Sequence, residues 1–106
     1  MGRYLFEGSY SSEGIKGVLK EGGTGRRAAI EGATKALGGT VEAFYYAFGD
    51  TDVYIIVHGI DNETAAAFSM AVAASGAGSV KTTVLMTPEE IDQATKKTGS
   101  YRAPGH

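Results

Sequence analysis

The alternation of apolar and polar residues predicts four β-strands in this chain. In residues 3–10, large aromatic side chains alternate with Glu7 and Ser9, and a period of two is typical of a strand. Three later segments are rich in the β-branched and aromatic residues that strands favour. These segments are residues 40–48, 52–59 and 79–86.

Helical spacing occurs in two segments that follow the first strand. In residues 11–23, apolar side chains recur three and four positions apart, after a Ser-Ser pair that can cap a helix. A second apolar stripe runs through residues 24–39, which end in a Gly-Gly pair. Gly22 and Gly23 are predicted to stop the first helix, because glycine readily adopts the left-handed backbone found at helix ends.

Two further helices are predicted in the second half of the chain. Residues 61–75 place apolar side chains on one face and begin with Asp61 or Asn62 as the N-cap. Residues 87–97 begin with Thr87 as the N-cap, followed by a proline at the first helical position and acidic residues in the first turn. This combination is typical of a short helix.

The order of these elements indicates an α+β fold. The order is β-α(α)-β-β-α-β-α, and its first part matches the ferredoxin-like, split βαβ arrangement. That arrangement has a four-stranded antiparallel sheet with the long helices on one face. A single domain is expected over residues 1–106, with a tail that begins at about residue 98.

The predicted strands are apolar in both of their alternating sets of side chains. In the second strand, Val41 and Tyr45 are predicted on one face, and Phe44, Tyr46 and Phe48 on the other. A sheet that is apolar on both faces needs cover on both, and the helices cover only one. The natural cover for the other face is a second copy of the chain, so we expect a homodimer or larger homo-oligomer.

Composition and charge exclude several classes of protein. The formal net charge of −2 offers neither the basic footprint of a nucleic-acid-binding protein nor a polybasic membrane surface. The chain has no cysteine, which excludes disulfides and thiol nucleophiles. No apolar run approaches the roughly 20 residues of a membrane span. We therefore expect a soluble cytoplasmic protein without nucleic-acid or membrane partners, and no cofactor is indicated.

The segment from Gly49 to Asp52 lies where two strands must form a hairpin. Glycine supplies unusual backbone angles, and aspartate bonds its own backbone in turns, so Asp50 and Asp52 fit a structural turn. The alternative is a cation site, but a hard cation wants about six oxygens and this segment supplies few. We expect no metal site and a loop of three or four residues. The loop length sets the register of the hairpin, and the register decides which side chains of the second strand lie on the same face as His58. The sequence leaves this register open.

His58 is the single internal histidine. Asp52 and His58 are six residues apart on one strand, or roughly 20 Å, so they cannot meet in a catalytic triad within one subunit. A solvent-facing or hydrogen-bonded histidine is one interpretation. The other is a proton-transfer group at the rim of a cavity, because the pKa of histidine suits neutral pH.

Charged residues outside the turn suggest two more features. The glycine-rich segment 20–27 precedes a predicted helix and carries Arg26 and Arg27, so it is either a helix connector or an anion site. It is not a P-loop, because the Gly-Lys-Ser/Thr ending is missing. Glu7, Glu42 and Lys81 lie within strands, where a dimer interior would require them to be paired, although strand edges explain them equally well.

These pieces together resemble the GYD-domain family, small proteins of the dimeric α+β barrel type. The resemblance covers nearly the whole chain and rests on four stretches: YLFEGSYSSEGIKGVLKEGGTGRRAAIE, GGTVEAFYYAFGDTDVYIIV, VKTTVLMTPEEIDQA and SYRAPG. It implies a ferredoxin-like protomer and a dimer built through the sheets. It does not imply one function, because the same fold type carries cofactor-free monooxygenases, isomerases, haem-degrading enzymes and dehydratases.

The namesake Gly-Tyr-Asp of that family corresponds to the turn from Gly49 to Asp52. Thr51 stands here in place of the tyrosine, and Asp52 matches the aspartate. A tyrosine hydroxyl that is catalytic in relatives would be missing from this chain. The substitution therefore favours a structural role for the turn, or an activity lost in this protein.

Three functions are compatible with these observations. The first is binding of a small organic ligand in a cavity between sheet and helices, with Tyr46, Tyr54, His58 and Lys81 as candidate contacts and Gly8 among the small residues that leave room. The second is a cofactor-free isomerase or monooxygenase-like enzyme for a small aromatic or polyketide-like compound. It would use His58 as the catalytic base, with a tyrosine hydroxyl or Lys81 stabilising the anion. The third is an assembly or regulatory module without a ligand.

Overall fold

The computed structural model describes residues 1–97 and 99–106, and these form four strands and three helices. The strands form one antiparallel sheet in the order β2-β3-β1-β4. The predicted ferredoxin-like α+β arrangement is therefore confirmed. The elements are β1 (Gly2–Tyr10), α1 (Ser12–Ala36), β2 (Thr40–Tyr46), β3 (Val53–Ile60), α2 (Asn62–Ser75), β4 (Gly78–Leu85) and α3 (Pro88–Thr95).

Helix α1 consists of two helical segments that meet at a break. Gly22 has φ 79° and ψ 165°, which is far from helical geometry and lies where glycine is favoured over other residues. The break predicted at Gly22 and Gly23 is confirmed. The helix begins at the predicted serine pair, because the Ser11 hydroxyl accepts a hydrogen bond from the Gly14 N–H at 3.2 Å.

The other two helices begin at the caps that the sequence predicts. The Asp61 carboxylate accepts a hydrogen bond from the Thr64 N–H at 2.9 Å and caps α2. In α3 the Thr87 hydroxyl accepts from the Glu90 N–H at 3.1 Å, and the Glu90 carboxylate accepts from the Thr87 N–H at 2.9 Å. This reciprocal pair is a capping box, and Pro88 follows at the first helical position.

The core lies on one face of the sheet, beneath α1 and α2, and we call this the helix face. Tyr4 and Phe6 of β1 are 3% and 2% exposed, and the ring of Phe6 meets that of Phe68 of α2 edge to face at 5.0 Å. The Tyr4 hydroxyl donates to the Asn62 Oδ1 at 2.5 Å, so its polar end is satisfied. The other buried apolar residues are Val53, Ile55, Val57, Ile60 and Ala65.

The prediction for the faces of β2 is wrong at Val41. The register between β2 and β3 shifts between Val41 and Ala43, which places an extra residue at Glu42. Val41 pairs with buried Val57, so it lies on the helix face with Phe44 and Tyr46 rather than with Tyr45. Phe48 lies beyond the end of β2 and is fully exposed.

The chain extends well beyond its compact part. The Cα radius of gyration is 16.8 Å, compared with about 13 Å expected for a compact domain of this length. All residues of α3 are exposed, including Ile91 at 47%. The predicted tail begins at residue 98, which lies outside the described residues, and residues 99–106 contain no helix or strand. Within the described residues, no helix combines the length and the apolar composition that crossing a bilayer requires.

Candidate functional site

A cavity of about 100 Å³ lies on the helix face, between the sheet and helices α1 and α2. Its floor is formed at Gly8 of β1, which pairs with Val53 on one side and Val80 on the other. A Cβ atom at Gly8 would stand 2.8 Å from the Val53 Cγ1, so any other residue would narrow the space. The apolar part of the wall consists of Phe6, Ile30, Val53, Ile55, Phe68, Val72, Ala77 and Val80.

The polar part of the cavity wall includes one cationic side chain, that of Arg26. Its neighbours in the wall are the hydroxyl-bearing residues Ser9, Tyr10, Ser75 and Ser79. Arg26 lies four residues after the break in α1, and its Nη1 stands 3.5 Å from the Glu21 Oε2 across that break. The two side chains are 30% and 47% exposed, so solvent screens this ion pair.

Tyr46 of β2 lies near Arg26 and outside the cavity wall. Its hydroxyl donates to the Gly23 carbonyl oxygen at 3.2 Å, which connects the end of β2 to the segment after the break in α1. Burial raises the pKa of Tyr46, and the nearby Tyr10 phenol raises it further, while Arg26 and Arg27 act in the opposite direction. The Tyr46 hydroxyl therefore stays protonated at neutral pH and acts as a hydrogen-bond donor.

Arg26 and Arg27 were the candidate residues for an anion site, one of the two interpretations of segment 20–27, and the structure places them differently. Arg26 lines the cavity, whereas Arg27 is exposed and does not line it. Both guanidinium groups are close enough to Tyr46 to act on its pKa. Arg26 is thus the member of the pair that faces a space a ligand can enter.

The turn between β2 and β3 holds the end of β1 that forms one edge of the cavity. The Asp52 N–H donates to the Gly8 carbonyl oxygen at 2.8 Å, and the Asp52 carboxylate accepts from the Tyr10 N–H at 2.8 Å. The Ser9 hydroxyl donates to the Asp50 carbonyl oxygen at 2.5 Å. Asp52 immediately precedes β3, so it completes the hydrogen bonding of β1 beyond the last pair between the two strands, Gly8 and Val53.

The geometry of this turn agrees with a structural role. The Ala47 N–H donates to the Asp52 carbonyl oxygen at 2.8 Å, which encloses a loop of four residues, one of the two predicted lengths. Gly49 has φ 118°, in the region that glycine tolerates and other residues avoid. Asp50 contributes its main chain to Ser9. Within the described part of the chain, no group of three or more His, Asp or Glu side chains is placed to hold a metal ion.

His58, Tyr54 and Lys81 lie on the opposite side of the sheet, which we call the open face. Residues that pair directly across antiparallel strands lie on the same face, so the register arranges this face in three rows. Thr40, His58, Arg3 and Leu85 form the first row; Ala43, Ile56, Leu5 and Thr83 form the second; Tyr45, Tyr54, Glu7 and Lys81 form the third.

The charged residues of the open face are paired with one another. The Arg3 Nε donates to the Glu42 Oε2 at 2.8 Å, and this contact with Glu42 raises the pKa of Arg3. The extra residue in β2 is Glu42 itself, so the irregular register is what positions this carboxylate. The Lys81 Nζ lies 4.0 Å from the Glu7 Oε2 at the other end of the face.

The structure does not bring the predicted ligand contacts into one site. Tyr46 lies on the helix face, whereas Tyr54, His58 and Lys81 lie on the open face. His58 and Lys81 are separated by two strand spacings and four residues along the strands, or about 16 Å. The open question about the register is settled, because His58 faces away from the cavity.

For most residues of the cavity wall, the sequence predicted burial in the core and gave no indication of a cavity. Phe68 and Val72 belong to the apolar stripe predicted for α2, and Ile30 to that of α1. Periodicity marks such residues as buried without showing whether they touch other side chains or a space. The signals that pointed toward the cavity were Gly8, a small residue in an aromatic strand, and Arg26 beside the glycine break.

The fold and the cavity define a ferredoxin-like α+β protein with a pocket between its sheet and helices. Comparison with protein-family models gives a match to the GYD domain over residues 4–95 of the 106-residue chain. The chain therefore belongs to the GYD-domain family. The match runs from β1 to the last residue of α3 and includes every element that builds the cavity. The comparisons with curated proteins and with solved structures returned no match.

Proposed function

We propose that this protein is a homo-oligomer that binds a small organic molecule in the cavity between its sheet and helices. The observation that carries the proposal is the wall of the cavity, which is mainly apolar with a few polar side chains along one part of it. Ligand sites in proteins typically have this composition. The volume of about 100 Å³ is smaller than the roughly 150 Å³ of an engineered cavity that binds benzene, but this cavity is partly open to solvent. It therefore limits the ligand to about one small ring or a short branched chain, part of which can extend out of the opening.

Binding is favoured over catalysis by what the wall contains. Its titratable side chains are Tyr10 and Arg26. Neither is a good general base, because arginine does not release its proton and a tyrosine hydroxyl serves mainly as a hydrogen-bond donor and acceptor. His58, the base that an enzyme would need here, lies on the open face. The cofactor-free enzyme therefore has less support than the binding protein.

The open face supports the oligomeric part of the proposal. Its second row presents Ile56 and Leu5 in the middle of the face, and Tyr45 and Tyr54 in the third row are 71% and 38% exposed. An apolar sheet face of this kind is normally covered. A second copy, related by a two-fold axis, would cover it with the same rows of side chains.

A partner that covers the open face would meet charges that are already paired. Arg3 contacts Glu42, and Lys81 lies near Glu7. Burying paired charges costs much less than burying a lone charge. The exposed helix α3 offers further apolar contacts through Ile91.

Two measurements test the proposal. Native mass spectrometry of the purified protein is expected to show a dimer or larger homo-oligomer and any molecule retained from the cell. A titration with benzyl alcohol, followed by the amide resonances of ¹⁵N-labelled protein, is expected to shift residues around the cavity such as Gly8, Phe68 and Val80. Benzyl alcohol is a neutral, single-ring probe, so its binding depends on the shape and apolar character of the cavity and not on charge.

A matched pair of variants locates that binding. Val80→Phe fills the cavity from β4, whereas Val84→Phe makes the same change on the same face of β4 at a residue that is 60% exposed and does not line the cavity. We expect Val80→Phe to abolish the benzyl alcohol shifts and Val84→Phe to leave them unchanged. An absence of both shifts and retained mass in the native protein would refute ligand binding and favour the assembly module.

A further inference from the structure

We propose that the cavity selects small organic acids, with the carboxylate bound by Arg26 and the apolar body held among Phe6, Ile55 and Phe68. This inference rests on the proposed function, because it names the chemical class of the molecule in the same cavity. It goes further in assigning Arg26 as the residue that determines specificity. The expected ligand is a monocarboxylate with a single ring or a short branched chain.

The charged side chain in the cavity wall is positive. Among the described residues that line the cavity, Arg26 is the one cationic residue and none is Asp or Glu. The rest of the wall consists of apolar side chains, glycines and hydroxyl-bearing residues. Solvent screens the charge of Arg26 in part, but no carboxylate among the described residues of the wall opposes it. The wall therefore favours an anion over a cation.

The ion pair of Arg26 leaves the guanidinium able to bind a second carboxylate. Its contact to Glu21 uses Nη1 at 3.5 Å, which is longer than the 2.7–2.9 Å typical of a charge-assisted hydrogen bond. A guanidinium carries five N–H donors in a planar fork that matches a carboxylate. Glu21 is 47% exposed and can turn to solvent when a ligand carboxylate takes its place.

One phenol lies where it can complete such a site, because Tyr10 is part of the cavity wall. Tyr46 lies nearby, but its hydroxyl already donates to the Gly23 carbonyl oxygen. A protonated phenol donates a hydrogen bond to a carboxylate and does not repel it. The backbone of Tyr10 is fixed by Asp52, so the turn positions this edge of the site.

The test compares benzoate with benzamide, which has nearly the same shape and no charge. Calorimetric titrations at neutral pH are expected to show benzoate binding about tenfold more tightly, a difference of about 1.4 kcal/mol. Arg26→Gln is expected to remove this preference and leave benzamide binding nearly unchanged. Arg26→Lys, which keeps the charge and loses the planar fork, is expected to keep part of the preference and guards against misfolding of the first variant.

Two further variants separate a direct contact from a general effect of charge. Arg27→Gln removes the same charge from the neighbouring exposed residue and is expected to keep the preference for benzoate. Glu21→Gln removes the competing carboxylate and is expected to tighten benzoate severalfold without changing benzamide. Equal loss of preference in Arg26→Gln and Arg27→Gln would overturn the assignment of Arg26.

The outcomes distinguish this inference from the function on which it rests. Equal binding of benzoate and benzamide, both abolished by Val80→Phe, would overturn the selectivity for acids and retain the ligand site. Failure of the native protein to bind benzoate, benzamide and benzyl alcohol would overturn both. Benzoate binding that survives Val80→Phe would place the anion outside the cavity and would also overturn the inference.

Discussion

The helix face of the sheet is covered by the chain's own helices, whereas the open face is not. Tyr4 and Phe6 on the helix face are 3% and 2% exposed, but Tyr45 and Tyr54 on the open face are 71% and 38% exposed. Both faces of the sheet carry large aromatic residues. Apolar content alone therefore does not show which face holds the core. The connections between strands decide it, because they place both long helices on one side.

The two faces also treat polar groups differently. On the helix face a buried hydroxyl is satisfied by a residue of another element, as when Tyr4 donates to Asn62. On the open face charged groups are paired within the sheet, as in the contact of Arg3 with Glu42. The buried polar groups of the helix face are thus hydrogen-bonded within the chain, as in a protein core. The open face has the pairing of a surface that can be covered without leaving a lone charge.

The largest expected effect comes from removing a side chain of the helix face. Phe6→Ala deletes a ring buried against Phe68, and such deletions destabilise proteins by about 3–5 kcal/mol. Tyr54→Ala on the open face is expected to cost less than about 1 kcal/mol when the protein is monomeric, because its side chain is then partly solvated. Urea denaturation at low protein concentration measures both. Equal losses would contradict the division between the faces.

The next effect concerns assembly. Ile56→Asp places a charge in the middle row of the open face, and in the proposed dimer it would be buried without a partner. We expect the dissociation constant to rise by about a hundredfold or more, equivalent to about 2.7 kcal/mol. Light scattering coupled to size exclusion measures the mass. Met70→Asp, on the exposed side of α2, is the control and should leave the mass unchanged.

An unchanged mass in Ile56→Asp would show that the open face is not the interface. Assembly would then have to use another surface, such as α3. The same measurement on the native protein shows whether any oligomer forms. A native protein that is monomeric at every concentration would contradict the proposed dimer.

A smaller effect is expected at the turn that joins the two faces. Asp52→Ala removes the acceptor for the Tyr10 N–H and should cost about 1 kcal/mol in the free energy of unfolding. Asp50→Ala is the matched control, because Asp50 holds Ser9 through its main chain, and its effect should stay within about 0.5 kcal/mol. Chemical denaturation measures both. If Asp52→Ala abolished benzoate binding with unchanged stability, the structural role of the turn would be contradicted.

The smallest expected effect is a pH dependence at the start of α2. The hydrogen bond from Thr64 lowers the pKa of Asp61, so the folded state favours the ionised carboxylate. Its contribution is present above the ordinary aspartate pKa of about 4 and is lost as the pH falls through the lower folded value. Asp61→Asn also caps a helix but does not titrate. Melting temperatures between pH 7 and pH 2 should therefore fall more steeply for the native protein than for Asp61→Asn.

The sequence by itself determined the features that depend on neighbouring residues. The N-cap at Thr87 and the break at Gly22 were predicted, and the caps of α1 and α2 were each predicted to within a pair of adjacent residues. Capping and backbone freedom act within a few positions, so the sequence carries them. The apolar character of both sheet faces was also legible, since a strand alternates its side chains with a fixed period. The element order then led to the ferredoxin-like arrangement.

Only the tertiary structure decided which distant residues meet. The irregular pairing at Glu42 reversed the predicted face of Val41, because a bulge is set by the partner strand rather than by local preference. The strand register placed His58 on the open face, and the packing of α1 placed Arg26 beside the cavity on the other side of the sheet. The cavity exists where Gly8 meets Val53 and Val80, three residues far apart in the chain, and no local pattern encodes a space between them.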